Sequence, residues 1–333
     1  MAEHIDVSLP GLLCTSGEPY TYIHEAHVHS LLTNRPSEYY CFVRDELSAI
    51  ATGYIQLELP PKQMFVDPAG AGDFRVMPCV LRGAGWVRKT VKLVGTNIAR
   101  QKVPGQVTVG KAFALHPVEN YITHIFEGCL LSSARTGICA ALAVDLLAPT
   151  RTSVAVLGAG RVGYYAAFYG CMLGGVRKLR VADIDAAKAE ECVAALSEKV
   201  PCIDIKAQPV DKLGSCDVLI LATTSTQSVC HPSGHDAGLI VSLGADCDGQ
   251  SELAEDWARR ADIYVDTRDS LRFGDLKLWT AAGVLEPDSV TDLLEVFTHR
   301  PPANALRSRI FVSTGSALFD SLTIGYLLSA AGA

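Results

Sequence analysis

Val154-Ala155-Val156-Leu157-Gly158-Ala159-Gly160-Arg161-Val162-Gly163 is the stretch on which the fold turns. A short apolar run leads into G-x-G-x-x-G, and residues 164–173 continue in a helical pattern. The run is too short for a buried helix and suits a strand covered on both faces. In such a strand–turn–helix, Gly158 permits the tight turn and Gly160 lets a pyrophosphate approach the backbone. Gly163 lets the helix pack against the strand. Phosphates would meet the free N–H groups and positive end of that helix. Leu179-Arg180-Val181-Ala182-Asp183 reads as the next strand, ending in an acid twenty residues past Gly163. A carboxylate at this place binds the adenosine ribose hydroxyls. Asp183 would repel a 2′-phosphate, so the pattern favours NAD over NADP.

Downstream, the alternation continues. Residues 185–199 read as a helix and 202–206, 217–222 and 239–243 as strands. A helix over 251–261 and a strand over 263–266 come next. Helices over 269–282 and 287–298 precede a last strand over 309–312. Alternating βα units imply a parallel sheet with right-handed crossovers. The mostly apolar helix over 316–330 follows a completed sheet and is expected to pack back on the N-terminal part.

Upstream, residues 20–32 and 38–57 read as helices. His24 and His27 share a face of the first, and His29 lies near them. No Asp or Cys stands at a useful spacing, so a solvated or dimer-facing helix is the better reading than a metal site. From 63 to 126 the pattern turns to strands (63–66, 74–81, 86–94, 107–115 and 121–126), rich in β-branched and aromatic residues. A helix over 129–147 links this sheet to Val154. The sheet carries Lys62, Arg75, Arg82, Arg88, Lys89 and Lys92. Strand alternation puts Lys89 on the face opposite Arg88 and Thr90. Read as facing inward, Lys89 needs an anion such as a substrate carboxylate, because burying a lone cation is costly. Arg82 and Arg88 then face solvent. His116, His124 and Glu127 near the end of the sheet could act as further acids, although such residues more often serve structure.

At 333 residues the chain is long enough for two domains, and 49% hydrophobic with 20% charged residues suits a globular enzyme. A net charge of −7 with no basic run argues against nucleic acid. Met1 to Asp6 lack the basic and apolar regions of a leader, and the apolar helix candidates are interrupted by polar residues short of a membrane span. Eleven scattered cysteines without a C-x-x-C pair read as reduced thiols of a cytoplasmic protein. The expected class is α/β. A Rossmann NAD-binding domain occupies 131–315. An α+β substrate and dimerisation domain occupies 1–130 with 316–333.

Six ordered pieces carry a family resemblance. Val76-Met77-Pro78 precedes the Lys89 strand, and Lys89 stands eight residues before Asn97. Leu131-Ser132-Ser133-Ala134-Arg135-Thr136 is similar to an L-T-x-x-R-T helix start. The glycine loop with Asp183 comes next. Leu243-Gly244-Ala245-Asp246 with Gly249, Glu252 and Leu253 is similar to G-A-D-x-x-G-x-x-E-L. Ser313-Thr314-Gly315-Ser316-Ala317-Leu318-Phe319-Asp320 is similar to S-T-G-x-A-x-E-D. The chain thus resembles the ornithine cyclodeaminase/mu-crystallin family from about residue 55 onward. The resemblance implies substrate binding by Lys62, Met77, Lys89 and Arg135, with Lys89 beside the reacting carbon as the catalytic group. It implies cofactor contacts at Thr136, Gly158, Ala159, Gly160, Arg161, Val162, Asp183, Ile184, Thr223, Thr224, Ser225 and Ser313. It also implies a homodimer.

Two departures matter. Where cyclodeaminases carry a catalytic Asp after the fourth Rossmann strand, this chain has Ser225, which has no carboxylate for general-base work. Val162 replaces a customary Gln in the glycine loop. The expected activity is therefore NAD(H)-dependent hydride transfer to or from Cα of a small 2-imino or 2-amino acid. The alternatives are a cyclodeaminase with recycled NAD, an opine-like dehydrogenase acting on N-linked amino acids, and a mu-crystallin-like ligand binder.

Overall fold

The computed structural model describes residues 17–66, 72–97, 99, 101–247, 249–302 and 307–331. Met1 to Asp6, on which the absence of a leader was read, and Cys14 lie outside the described residues.

The N-terminal half is built on one sheet. β1 (Thr21–Ile23), α1 (Glu25–Asn34) and α2 (Pro36–Ala51) are followed by β2 (Gln56–Glu58), β3 (Gln63–Val66), β4 (Asp73–Gly83), β5 (Trp86–Thr96), β6 (Thr108–Leu115) and β7 (Ile122–Glu127). The sheet order is β1-β7-β6-β5-β4-β2, with β3 also on β4. All its pairs are antiparallel except β1 with β7. β3 and β2 pair with opposite ends of β4, leaving Pro78 in the gap between them, where its missing N–H costs no ladder bond. Two expectations are corrected here. Residues 21–23 form an edge strand rather than the first turn of a helix, and the second helix ends at Ala51.

α3 (Gly128–Leu147) joins the halves. It has the length and apolarity of a membrane span, against expectation, yet 83% of its most apolar window is buried inside the fold. Its start is capped from outside: Glu25 accepts the backbone N–H groups of Cys129 (2.8 Å) and Leu130 (2.9 Å).

The C-terminal half comprises β8 (Ser153–Leu157), α4 (Arg161–Met172), β9 (Lys178–Ala182), α5 (Ala186–Lys199), β10 (Asp204–Ala207), β11 (Cys216–Leu221) and β12 (Ala237–Ser242). It continues with α6 (Trp257–Arg260), β13 (Ala261–Val265), α7 (Gly274–Ala281), β14 (Thr291–Asp292), α8 (Leu293–Thr298) and β15 (Ser308–Val312). The strand order β10-β9-β8-β11-β12-β15-β13-β14 is parallel throughout. The order reverses between β8 and β11, the crevice where dinucleotides bind in such sheets. The helix expected over 251–261 is reduced to 257–260, because residues 251–253 lie extended along other groups. α9 (Ala317–Ala331) packs onto α2, β4 and β5 of the first sheet, the return that the sequence led one to expect.

Candidate functional site

The glycine loop has the geometry that its three glycines foretold. Gly158 has φ +106°, open to glycine but strained for other residues. A methyl group on Gly163 would collide with the carbonyl oxygen of Gly158, whereas one on Gly160 would meet no atom within 4 Å. Gly160 therefore faces open space over the N-terminus of α4, whose free N–H groups can receive phosphate. Asp183 sits at the end of β9. Its carboxylate accepts the N–H of Ala159 (2.8 Å) and of Asp185 (3.0 Å), which fixes it beside the loop. Ile184 next to it is 98% exposed, an apolar surface suited to one face of an adenine. These residues fit a dinucleotide.

A cavity of about 200 Å³ adjoins this crevice. Both sheets and α3 contribute to it. Of the residues named from sequence, Met77, Arg135, Thr136, Val162, Thr223 and Thr224 line it. Lys62 is buried beside it: its Nζ donates to the Thr314 carbonyl (2.8 Å) and lies 3.7 Å from the centre of the Phe273 ring. Burial pulls the Lys62 ammonium down to about 8.

Lys89 is not in the cavity, and the reading that placed it there is corrected. Arg88, Thr90, Lys92 and Val94 form the covered face of β5, under α9 and α3. Lys89 lies on the other face and donates to the side-chain carbonyl of Asn120 (2.5 Å). The inward lysine is Lys92, 1% exposed. Its Nζ donates to Asp320 of α9 (2.8 Å) and Ser132 of α3 (3.4 Å). Burial, with Arg135 alongside, pulls the Lys92 ammonium down to about 7 against the opposing pull of Asp320. Arg135 Nε lies 3.0 Å from the same Asp320 oxygen, though without hydrogen-bond alignment. Arg88 also departs from expectation: it is largely covered and forms a two-pronged pair with Glu46 (2.6 and 2.8 Å).

Other named residues have structural partners. Ser313 donates to buried Asp266 (2.6 Å), and the Ser225 hydroxyl donates to the Gln227 carbonyl (2.6 Å). Neither lines the cavity. His29 bonds Tyr165 (2.6 Å), and Glu127 bonds Tyr22 and Lys111 outside the cavity. Glu252 explains the E-L end of its motif. Fully buried, it accepts from the Thr223 N–H and hydroxyl, the Ser242 hydroxyl, and the N–H groups of Leu243 and Gly244. It thereby ties together the ends of β11 and β12 that wall the cavity. Arg75 and Asp246, which also line the cavity, carried no role in the sequence reading; they pair at 2.7 Å.

The model of the ornithine cyclodeaminase/mu-crystallin family matches residues 26–328. An ornithine cyclodeaminase of Agrobacterium tumefaciens is 29% identical over 67% of this chain and 64% of that protein. The chain spans 56–64% of the length of the first curated relatives it matches. Among solved structures, an archaeal alanine dehydrogenase dimer with bound NAD superposes with a TM-score of 0.81 at 20% identity, over 94% of this chain and 96% of that one. The pyrroline-2-carboxylate reductase of Thermococcus litoralis, in complex with NADH and L-proline, gives 0.81 at 21% identity, over 93% and 97%.

Proposed function

Because the chain belongs to the ornithine cyclodeaminase/mu-crystallin family, we propose that it is an NAD(H)-dependent oxidoreductase acting on CH–NH2 and C=N groups. It passes a hydride between the nicotinamide and Cα of a small 2-imino or 2-amino acid. The observation that carries this reading is the position of Lys92. This buried lysine of lowered proton affinity lines the same cavity as Thr223, Thr224 and Gly244 at the mouth of the dinucleotide crevice.

A bound nicotinamide would give or take the hydride. The chain's own residues do the rest. Arg135, with Lys62 behind it, holds the substrate α-carboxylate. Lys92 in its ammonium form gives a proton to the imine nitrogen, making Cα more electrophilic. In oxidation, neutral Lys92 removes a proton from the substrate ammonium. Asp320 orients both cations. Asp183 favours NADH over NADPH. The proposal includes a homodimer built on the half containing 17–130 and 317–331, and a cytoplasmic location, in keeping with ten free cysteines among the described residues.

One observation favours a second reading: the first curated relatives are ornithine cyclodeaminases. Ser225 supplies no carboxylate base and lies off the cavity, but Asp246, which lines it, is a carboxylate, so turnover must decide between the two readings. The test is NADH consumption with 2-oxo acids plus ammonia or methylamine, and with cyclic imino acids. Turnover supports a reductase. Conversion of ornithine without net NADH change sinks it in favour of a cyclodeaminase. NADH binding with no turnover of any substrate leaves a ligand binder or an enzyme of N-linked amino acids.

A further inference from the structure

Ser132, Ser133 and Thr136 are hydroxyl residues of α3 that line the cavity. Two of them are spent inside the helix. Ser133 donates to the Cys129 carbonyl (3.0 Å) and Thr136 to the Ser132 carbonyl (2.9 Å), each one turn back. The Ser132 hydroxyl donates to no group among the described residues. Its oxygen accepts from two cations instead, Lys92 Nζ (3.4 Å) and Arg135 Nη2 (3.3 Å).

That arrangement decides where the Ser132 hydrogen can go. A hydroxyl has one hydrogen to donate and two lone pairs to accept with, whereas an ammonium and a guanidinium only donate. With its oxygen turned to both cations, the hydrogen finds no acceptor on either and is left to the cavity. Ser132 is half-buried there, while Lys92 and Arg135 are buried behind it. The guanidinium is closely packed, since a methyl group on Gly315 would come within 2.9 Å of Arg135 Nη2. Both contacts to Ser132 are long, so the hydroxyl can re-aim its hydrogen while the cations stay in place.

The acceptor that suits this hydrogen is an anion. Lys92 and Arg135 share one carboxylate, Asp320 (2.8 and 3.0 Å), and so bring one positive charge in excess to the side of the hydroxyl. A neutral acceptor would leave that excess unmatched.

We propose that Ser132 is a substrate-binding residue whose O–H donates to the α-carboxylate held by Arg135; this deepens, and rests on, the reading of the cavity given above. An O–H donated to a carboxylate is among the stronger hydrogen bonds. Because the same oxygen accepts from Lys92, one hydroxyl ties the carboxylate to the group that handles the proton. A ligand with no carboxylate at this place forgoes the contact.

The test loads the protein with NADH and measures the binding of 2-oxobutyrate and of pyrrole-2-carboxylate by calorimetry. Ser132→Ala is expected to weaken both at least about tenfold, the loss of one hydrogen bond to a charged group, with NADH affinity unchanged. Ser132→Thr, which keeps a hydroxyl, should restore the binding. Ser133→Ala, whose hydroxyl is spent in the helix, should leave it as in the wild type. The proposal is overturned if Ser132→Ala binds both probes as the wild type does, if Ser133→Ala loses as much, or if Ser132→Thr fails as the alanine variant does. A wild type that binds neither carboxylate overturns it too. Weakened binding in Ser132→Ala, from a wild type that turns over no substrate, would defeat the enzymatic reading and leave Ser132 assigned. Wild-type turnover with the same KM in Ser132→Ala would do the reverse.

Discussion

Lys92 and Asp320 meet at 2.8 Å in the interior, tying a strand of the first sheet to the last helix of the chain. Removing Lys92 takes away the one ammonium that lines the cavity among the described residues. Lys92→Ala is expected to lower turnover by about 10²–10⁴-fold while NADH affinity, read by fluorescence, stays within a few-fold. Lys89→Ala, on the opposite face, should leave both unchanged. Equal loss in the two variants would refute the role given to Lys92.

The lowered proton affinity of Lys92 sets a pH dependence. Reduction needs its ammonium form, so kcat/KM for imine reduction should fall as pH rises through about 7. Oxidation needs the neutral form and should rise there. Stability has its own sign. The unfolded lysine keeps its proton to about pH 10.4, whereas the folded one releases it near 7. Between these values the unfolded state holds more protons, so this residue makes stability rise with pH. A melting-temperature series on wild type and Lys92→Met should show that rise only in the wild type.

The three loop glycines should separate stability from binding. Gly163→Ala forces a methyl into the Gly158 carbonyl and is expected to cost about 1–3 kcal/mol in chemical denaturation. Gly160→Ala has room and an ordinary φ of −75°. It should fold as the wild type does, yet bind NADH at least about tenfold more weakly by crowding the pyrophosphate.

Asp183→Ser removes the charge that would repel a 2′-phosphate while keeping a group able to accept the Ala159 N–H. The NADPH-to-NADH ratio of kcat/KM should rise by at least about tenfold. An unchanged ratio would show that cofactor choice is made elsewhere.

The Rossmann half was legible because its signals are local: apolar runs, spaced glycines and an acid at a strand end. The inward lysine was not. Arg88, Lys89 and Lys92 lie within five residues, and the strand's period of two divides them into faces without saying which is covered. That is decided by α9, which begins at Ala317. Choosing Lys89 put the wrong set inward and sent Arg88 to solvent. The loop at 251–253 misled for a similar reason. Its composition suits a helix, but Glu252 and the carboxylate of Asp275, which accepts from Glu252 and Leu253 (2.9 Å each), hold it extended. Ser313, expected at a cofactor contact, donates to the buried Asp266, a partner that no local pattern announces.

The return of α9 also has a consequence in time. Lys92 leaves the ribosome 228 residues before its counter-ion. At typical rates of synthesis that interval is roughly 10–45 s. Throughout it the N-terminal sheet lacks the helix that covers β5, and Lys92 has no anion from its own fold to bury against. The Rossmann half is complete only when β15 is made, eight residues before Asp320, so it closes just ahead of the substrate half, which must wait for the final turns of the chain. A nascent or truncated protein ending before Ala317 would thus be a nucleotide-binding fold without a working lysine.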